Sequence, residues 1–224
     1  MSFIDRVIGR TRKTNFKPGG CLSEFLPASA PILKTPDEFV APRKLDFRDM
    51  CIQTSNQGDT NHCVGYSVAG YIEIQNWKKN HYPEQVDGDN IYKEAKKIDG
   101  YDGEGTWLRF GVQGAINSGL ISGKYEHLKN NRDQVRFAIH EYSACILAFQ
   151  ITDEWNSVGK NGEIPIFSNP ITRGGHAVLG CGYCPEGLYI QNSWGIRWGL
   201  YGFALLKWNL FDKQFSNGII IRNA

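Results

Sequence analysis

The twelve residues "NQGDTNHCVGYS" at positions 56–67 gather a glutamine, a turn, a histidine and a cysteine into one short stretch. Behind Cys63 the apolar residues Val64, Val68, Tyr71 and Ile72 recur at helical spacing, which puts the cysteine in the first turn of a helix running to about Lys79. Unsatisfied backbone N–H groups and the positive end of the helix dipole favour thiolate over thiol there. A thiolate that attacks an acyl carbon also needs a proton carrier, a group to orient that carrier, and donors for the developing oxyanion. Candidates exist for each role. His176 lies in "RGGHAVLGCGY", flanked by small residues that leave its ring approachable. Asn192, sixteen positions later, falls on the next strand of a hairpin turning near Pro185. Its side-chain oxygen, accepting from one ring N–H, would fix the tautomer and aim the other nitrogen at the sulfur. Gln57 stands six positions before Cys63, and Gly58 permits the turn that brings its amide beside the Cys63 backbone N–H.

These side chains need elements to hold them. Helices are expected over Cys63 to about Lys79, over 90–98, from about Thr106 to Ser118 with Gly119 as its stop, and from an Asn131 cap through Tyr142. Beyond that the pattern changes to short β-rich runs, "SACILAFQI", "GHAVLGCGY", "LYIQNS" and "GFALLKW", separated by Gly, Pro and Asn. Helices first and strands second argue for an α+β chain in two lobes. The stretch from Pro18 to Pro42 holds five of the nine prolines and reads as an extended arm, with "KLDFRD" as the entry strand of the body.

Composition bounds the rest. A chain of 224 residues, 41% apolar and 21% charged, is an ordinary globular protein with room for a sizeable core. A net charge of +2 calls for neither a nucleic-acid nor a membrane partner, although residues 1–20 carry five basic residues against one acid. That terminus reads as a short basic helix, without an apolar run long enough for a secretory signal. Six scattered cysteines, at 21, 51, 63, 145, 181 and 184, read as free thiols in a reducing compartment. Cys181 and Cys184 have redox-motif spacing, but they sit on a strand entering a turn, whereas that chemistry needs a helix N-terminus. His62, Cys63, His176, Cys181 and Cys184 are the right types for zinc but lack zinc-ligand spacing. No metal or organic cofactor is expected. His62 reads as a bystander at the loop–helix junction, and His81, His127 and His140 as surface histidines.

The sequence resembles the papain-like cysteine peptidases. The resemblance rests on "NQGxxxxC" at 56–63, "GHAV" at 175–178 and "NSWGIRWGLYGF" at 192–203, in the family's order Gln, Cys, His, Asn, and it spans roughly 46–208. It implies a helical left lobe (about 46–125) and an antiparallel β-rich right lobe (about 126–224) with a cleft between them. It makes Gln57 the oxyanion-hole glutamine, Cys63 the nucleophile, His176 the general acid–base and Asn192 its orienter, with Trp194 shielding the Asn–His bond and Trp198 packed nearby. "YDGEGTWLRF" falls where the family's Gly-Gly segment pairs with extended substrate. Gly105 matches one glycine and Glu104 occupies the other position. Trp107 either lines the pocket for the second residue before the cut or is plain core. Gly175, with Gly174, should leave the far side of the cleft open.

Departures mark a divergent bacterial- or viral-type member. Only the cysteine of the family's C-G-[SA]-C-[WY] signature survives in "TNHCV". Thr60 stands in place of a disulfide cysteine, Val64 in place of an aromatic residue and His62 in place of a small one. The implied function is a cysteine-type endopeptidase acting on polypeptides, cytoplasmic or delivered as an effector. The rivals are a deamidase or acyl transferase on the same fold, and an inactive peptide-binding module. Residues 1–45 read either as an inhibitory pro-segment or as a permanent arm of the mature fold; a separate inhibitor or immunity protein is a further conceivable partner.

Overall fold

A computed structural model describes residues 17, 19–24, 26–51, 55–82 and 84–222; the basic N-terminal helix expected from the sequence lies outside them. Among the described residues, seven strands form one antiparallel sheet: β1 (Leu45–Asp46), β2 (Lys124–Leu128), β3 (Cys145–Thr152), β4 (Thr172–Tyr183), β5 (Gly187–Gln191), β6 (Phe203–Lys207) and β7 (Phe215–Arg222). Their order is β2-β7-β3-β4-β5-β6, and β1 pairs with the end of β4, opposite Gly182 and Tyr183, where β3 has already ended. Five helices among the described residues accompany it: α1 (Cys63–Asn80), α2 (Gly88–Lys96), α3 (Leu108–Asn117), α4 (Arg132–Tyr142) and α5 (Trp208–Gln214).

Both faces of this sheet are buried, which explains why "CILAF" is a continuous apolar run and not an alternating one. Ile146 and Ala148 of β3 point to a core shared with α1 and α3, while Leu147, Phe149 and Ile151 point to a second core containing Trp155, Trp194, Trp198, Trp208 and Phe211. Helix α1 is correspondingly buried on nearly every side from Cys63 to Ile74. It lies against β4, where Gly70 approaches Leu179, and against α2, where Gly65 meets the Gly88 carbonyl.

The helix boundaries follow local chemistry. Asp87 accepts from the N–H groups of Asp89 and Asn90, so α2 begins at Gly88, earlier than the apolar spacing implies. Asn131 caps α4 by accepting from Gln134 N–H, as its position predicts. Helix α3 starts at Leu108 because Thr106 is held extended by a parallel bridge to Cys21. The "KLDFRD" entry strand is only two residues long, because the chain turns into a 3₁₀ turn at Arg48. Strands β2 and β7 and helix α5 have no counterpart in the sequence reading.

The proline-rich arm runs over the body. Pro31 and Leu33 bond through their backbones to His127 on edge strand β2, and the Leu33 side chain is buried in the tryptophan-rich core. His127 is therefore an interior histidine, 3% exposed, and not a surface one.

Candidate active site

Cys63 opens α1, and Gln57 precedes it in a turn pinned to the strand-like segment after β5. Gln57 N–H donates to the Ser193 carbonyl at 2.9 Å, and its side-chain oxygen accepts from the Ser193 hydroxyl at 2.6 Å. With the oxygen so engaged, the amide nitrogen is fixed in direction; one of its hydrogens goes to the Thr60 carbonyl at 2.6 Å, leaving one.

His176 sits in the middle of β4 and Asn192 just past the end of β5, the neighbouring antiparallel strand. The hairpin turn between Tyr183 and Gly187 brings them together. His176 Nε2–H donates to Asn192 Oδ1 at 2.7 Å, and the same oxygen accepts from the Ser193 N–H at 2.8 Å. The proton on Nε2 makes Nδ1 the basic nitrogen, and it is buried without a hydrogen-bond partner. The backbone N–H of Ala177, next to His176, reaches the Cys63 sulfur, as do the N–H groups of Val64 and of Cys63 itself. The sequence set Gln57, Cys63, His176 and Asn192 thus meets at one place, where α1 faces β4. Trp194 tilts over the His176 ring with centroids 4.7 Å apart. Trp198 stands edge-on to Trp194 at 5.7 Å and donates its indole N–H to the Trp155 carbonyl.

His62 is held elsewhere, its Nδ1 at 2.7 Å from an Asp89 carboxylate oxygen and its ring stacked on Tyr92 at 3.9 Å. Cys21, Cys63, Cys181 and the other three cysteines are free thiols, and among the described residues no three metal-ligating side chains converge.

The cleft above Cys63 is filled by the arm. Gly19 and Cys21 donate their N–H groups to the Gly175 carbonyl, at 2.9 and 3.3 Å, on one wall. On the other wall Thr106 donates to the Gly20 carbonyl at 3.0 Å and accepts from Leu22 N–H at 2.9 Å. Cys63 and His176 are 0% exposed in consequence. Burial pushes the Cys63 thiol up to about 12 and the His176 imidazole down to about 4, the latter only partly offset by Asn192. The covered pair therefore rests as neutral thiol and neutral imidazole at pH 7.

Several positions differ from the sequence reading. The backbone that pairs with an extended chain is that of Thr106, one residue beyond Gly105. Gly105 N–H is taken by the Tyr92 hydroxyl, and its positive φ of 87° suits a glycine. Glu104 is a surface carboxylate bonded to Lys17 and Asn61. Trp107 is half-buried at the cleft edge and donates to the Ser23 carbonyl at 3.0 Å. The Gly175 side is not open but occupied by Cys21, whose carbonyl would collide with any Cβ at that position. Sequence reasoning passed over Thr106, Gly20 and Ser193; the Gly-Gly-Cys run in a proline-rich arm was the available signal for a close backbone approach.

No family model matches the chain. Papain of Carica papaya is 27% identical over 194 residues, covering 74% of this chain, which spans about half (55%) of that relative's length. Among solved structures, xylellain, a cysteine protease from Xylella fastidiosa, superposes with a TM-score of 0.77 at 19% identity, covering 93% of this chain and 97% of that one. Procathepsin B S9 from Trypanosoma congolense superposes with a TM-score of 0.69 at 10% identity, over 91% of this chain and 87% of that one.

Proposed function

Because the chain has the papain-like fold, we propose that it is a cysteine-type endopeptidase that cleaves polypeptides through a Cys63 thioester. The observation that carries this reading is the His176 Nε2–Asn192 Oδ1 bond of 2.7 Å, which holds Nδ1 as the free base on the Cys63 side. In the open cleft the thiol proton passes to His176 Nδ1 and the sulfur attacks the peptide carbonyl. The oxyanion is held by the remaining Gln57 amide hydrogen and the Cys63 N–H. Protonated His176 then delivers its proton to the leaving amine, and it later activates the water that hydrolyses the thioester. The cleft accommodates an extended backbone bonded to both walls, as residues 19–22 are, which suits a polypeptide substrate.

In this reading residues 19–24 are an inhibitory part of the chain. It is supported by the backbone bonds from Gly19, Gly20, Cys21 and Leu22 that close the cleft. Thr106 bonds the residues on either side of Cys21, a parallel pairing that keeps any peptide bond of the arm from being presented antiparallel to Thr106. Turnover follows when the segment is displaced or cut.

The test is hydrolysis of a casein-derived peptide mixture by the full chain, with products read by mass spectrometry. Chain cleavage that vanishes in Cys63→Ala supports the reading. Ammonia release or cross-linking without cleavage would transfer the assignment to the rival chemistries, and unchanged cleavage in Cys63→Ala would remove Cys63 from it.

A further inference from the structure

Beyond Cys21 the arm places Glu24 into the wall of the cleft. Its side chain is only 3% exposed, although it carries a charge that is costly to bury without partners. One carboxylate oxygen pairs with the Arg109 guanidinium of α3, and the other accepts from Asn217 Nδ2 of β7 at 2.8 Å. Both donors are set in place by the body of the protein. The Arg109 guanidinium lies 4.4 Å from the Phe110 ring centroid. The Asn217 amide is oriented because its oxygen accepts from Gly218 N–H at 2.8 Å. His127, buried behind, is kept largely neutral by burial and does not compete as a second cation at neutral pH.

We propose that Arg109 and Asn217 form a specificity pocket for an acidic side chain, Asp or Glu, two or three residues before the scissile bond. This rests on the peptidase reading above. Glu24 lies three residues along the arm from Cys21, roughly 10 Å of extended chain. It is on the side of Trp107, which bonds the neighbouring Ser23. When the arm leaves, the oriented Asn217 amide and the guanidinium packed on an aromatic ring lose the acceptor that Glu24 supplies. A substrate carboxylate restores both bonds, and a glutamine or leucine in the same place restores at most part of them.

The test uses the full chain carrying Glu24→Gln, which loosens the arm and vacates the carboxylate site. Two matched sets of quenched peptides carry Glu, Gln or Leu at the second or the third position before the cut. The kcat/KM ratio of Glu to Gln peptide is expected to be at least tenfold at one of those positions. It should fall to near one in Glu24→Gln/Arg109→Gln and be partly retained in Glu24→Gln/Arg109→Lys, which keeps the charge and loses the fork. A ratio near one before Arg109 is changed, or a ratio that survives Arg109→Gln in a chain with an unchanged melting temperature, overturns the proposal. The same peptides titrated calorimetrically into Cys63→Ala/Glu24→Gln separate the two readings. Glu-selective binding without turnover in the active chain sinks the peptidase assignment alone, whereas equal binding of Glu and Gln peptides sinks the pocket.

Discussion

Gly20 lies so close over Cys63 that a Cβ built on it would stand 2.9 Å from the cysteine sulfur and 2.3 Å from the Asn61 carbonyl oxygen. The backbone of the arm can rest on the nucleophile only because this residue has no side chain. Gly20→Ala is therefore expected to lift the arm from the cleft. Peptide turnover by the full chain and the rate of Cys63 modification by iodoacetamide should both rise by roughly tenfold or more, since about 1.4 kcal/mol of lost arm affinity suffices for that. A variant with unchanged rates would separate the arm from control of the site.

The acidity of Cys63 should report the same closure. Burial holds its thiol up at about 12, so alkylation of the full chain is expected to be slow at pH 7 and to keep climbing tenfold per pH unit through pH 10. Solvent and a protonatable His176 return when the cleft opens, so the Gly20→Ala profile should level off at a lower pH. Coincident profiles would contradict this.

His176 gives stability an acid limit. Its imidazole is held down at about 4 by burial, against 6.5 in the unfolded chain. Between these pH values the unfolded chain binds a proton that the native chain refuses. The contribution is thus complete above about pH 6.5 and is lost as pH falls toward 4, by about 3 kcal/mol at most. Urea unfolding of Cys63→Ala from pH 4.5 to 7.5 measures the slope. His176→Gln in that background should flatten it, and equal slopes would assign the acid sensitivity to other groups.

On the proposed mechanism Gln57 and Asn192 serve different steps and should fail differently. Removing an oxyanion donor in Gln57→Ala is expected to cost roughly 10²-fold in kcat with little change in KM. Asn192→Ala frees the His176 ring and should lower kcat while also altering the pH–rate profile. The comparison is made in a Gly20→Ala chain, where binding does not wait on the arm.

Gly65 is a packing requirement. A Cβ there would meet the Gly88 carbonyl oxygen at 2.1 Å, so Gly65→Ala must push α2 away from α1. A loss of about 1–3 kcal/mol is expected in urea unfolding.

The helices were legible because each carries its own instructions: the 3.6-residue apolar spacing behind Cys63, and the Asn131 cap of α4. The four site residues were legible by type and order, since an acyl-transferring thiolate needs those groups. Strands β2 and β7 were not legible. "KYEHL" has mixed polarity because one edge of it is covered by the arm, a contact between residues about 95 apart in sequence. Helix α5 runs directly between two strands without a turn signal.

The amino-acid sequence by itself determined which four side chains would gather at one site and that a thiol at a helix start would be their centre. Only the tertiary structure decided the state of that centre. Laying Gly19–Leu22 between Thr106 and Gly175 removes water from Cys63 and His176 and drives both to their neutral forms, although a helix N-terminus alone favours the thiolate. Local pattern carries the dipole; desolvation depends on what the chain brings back over the site, and that is a property of the folded whole.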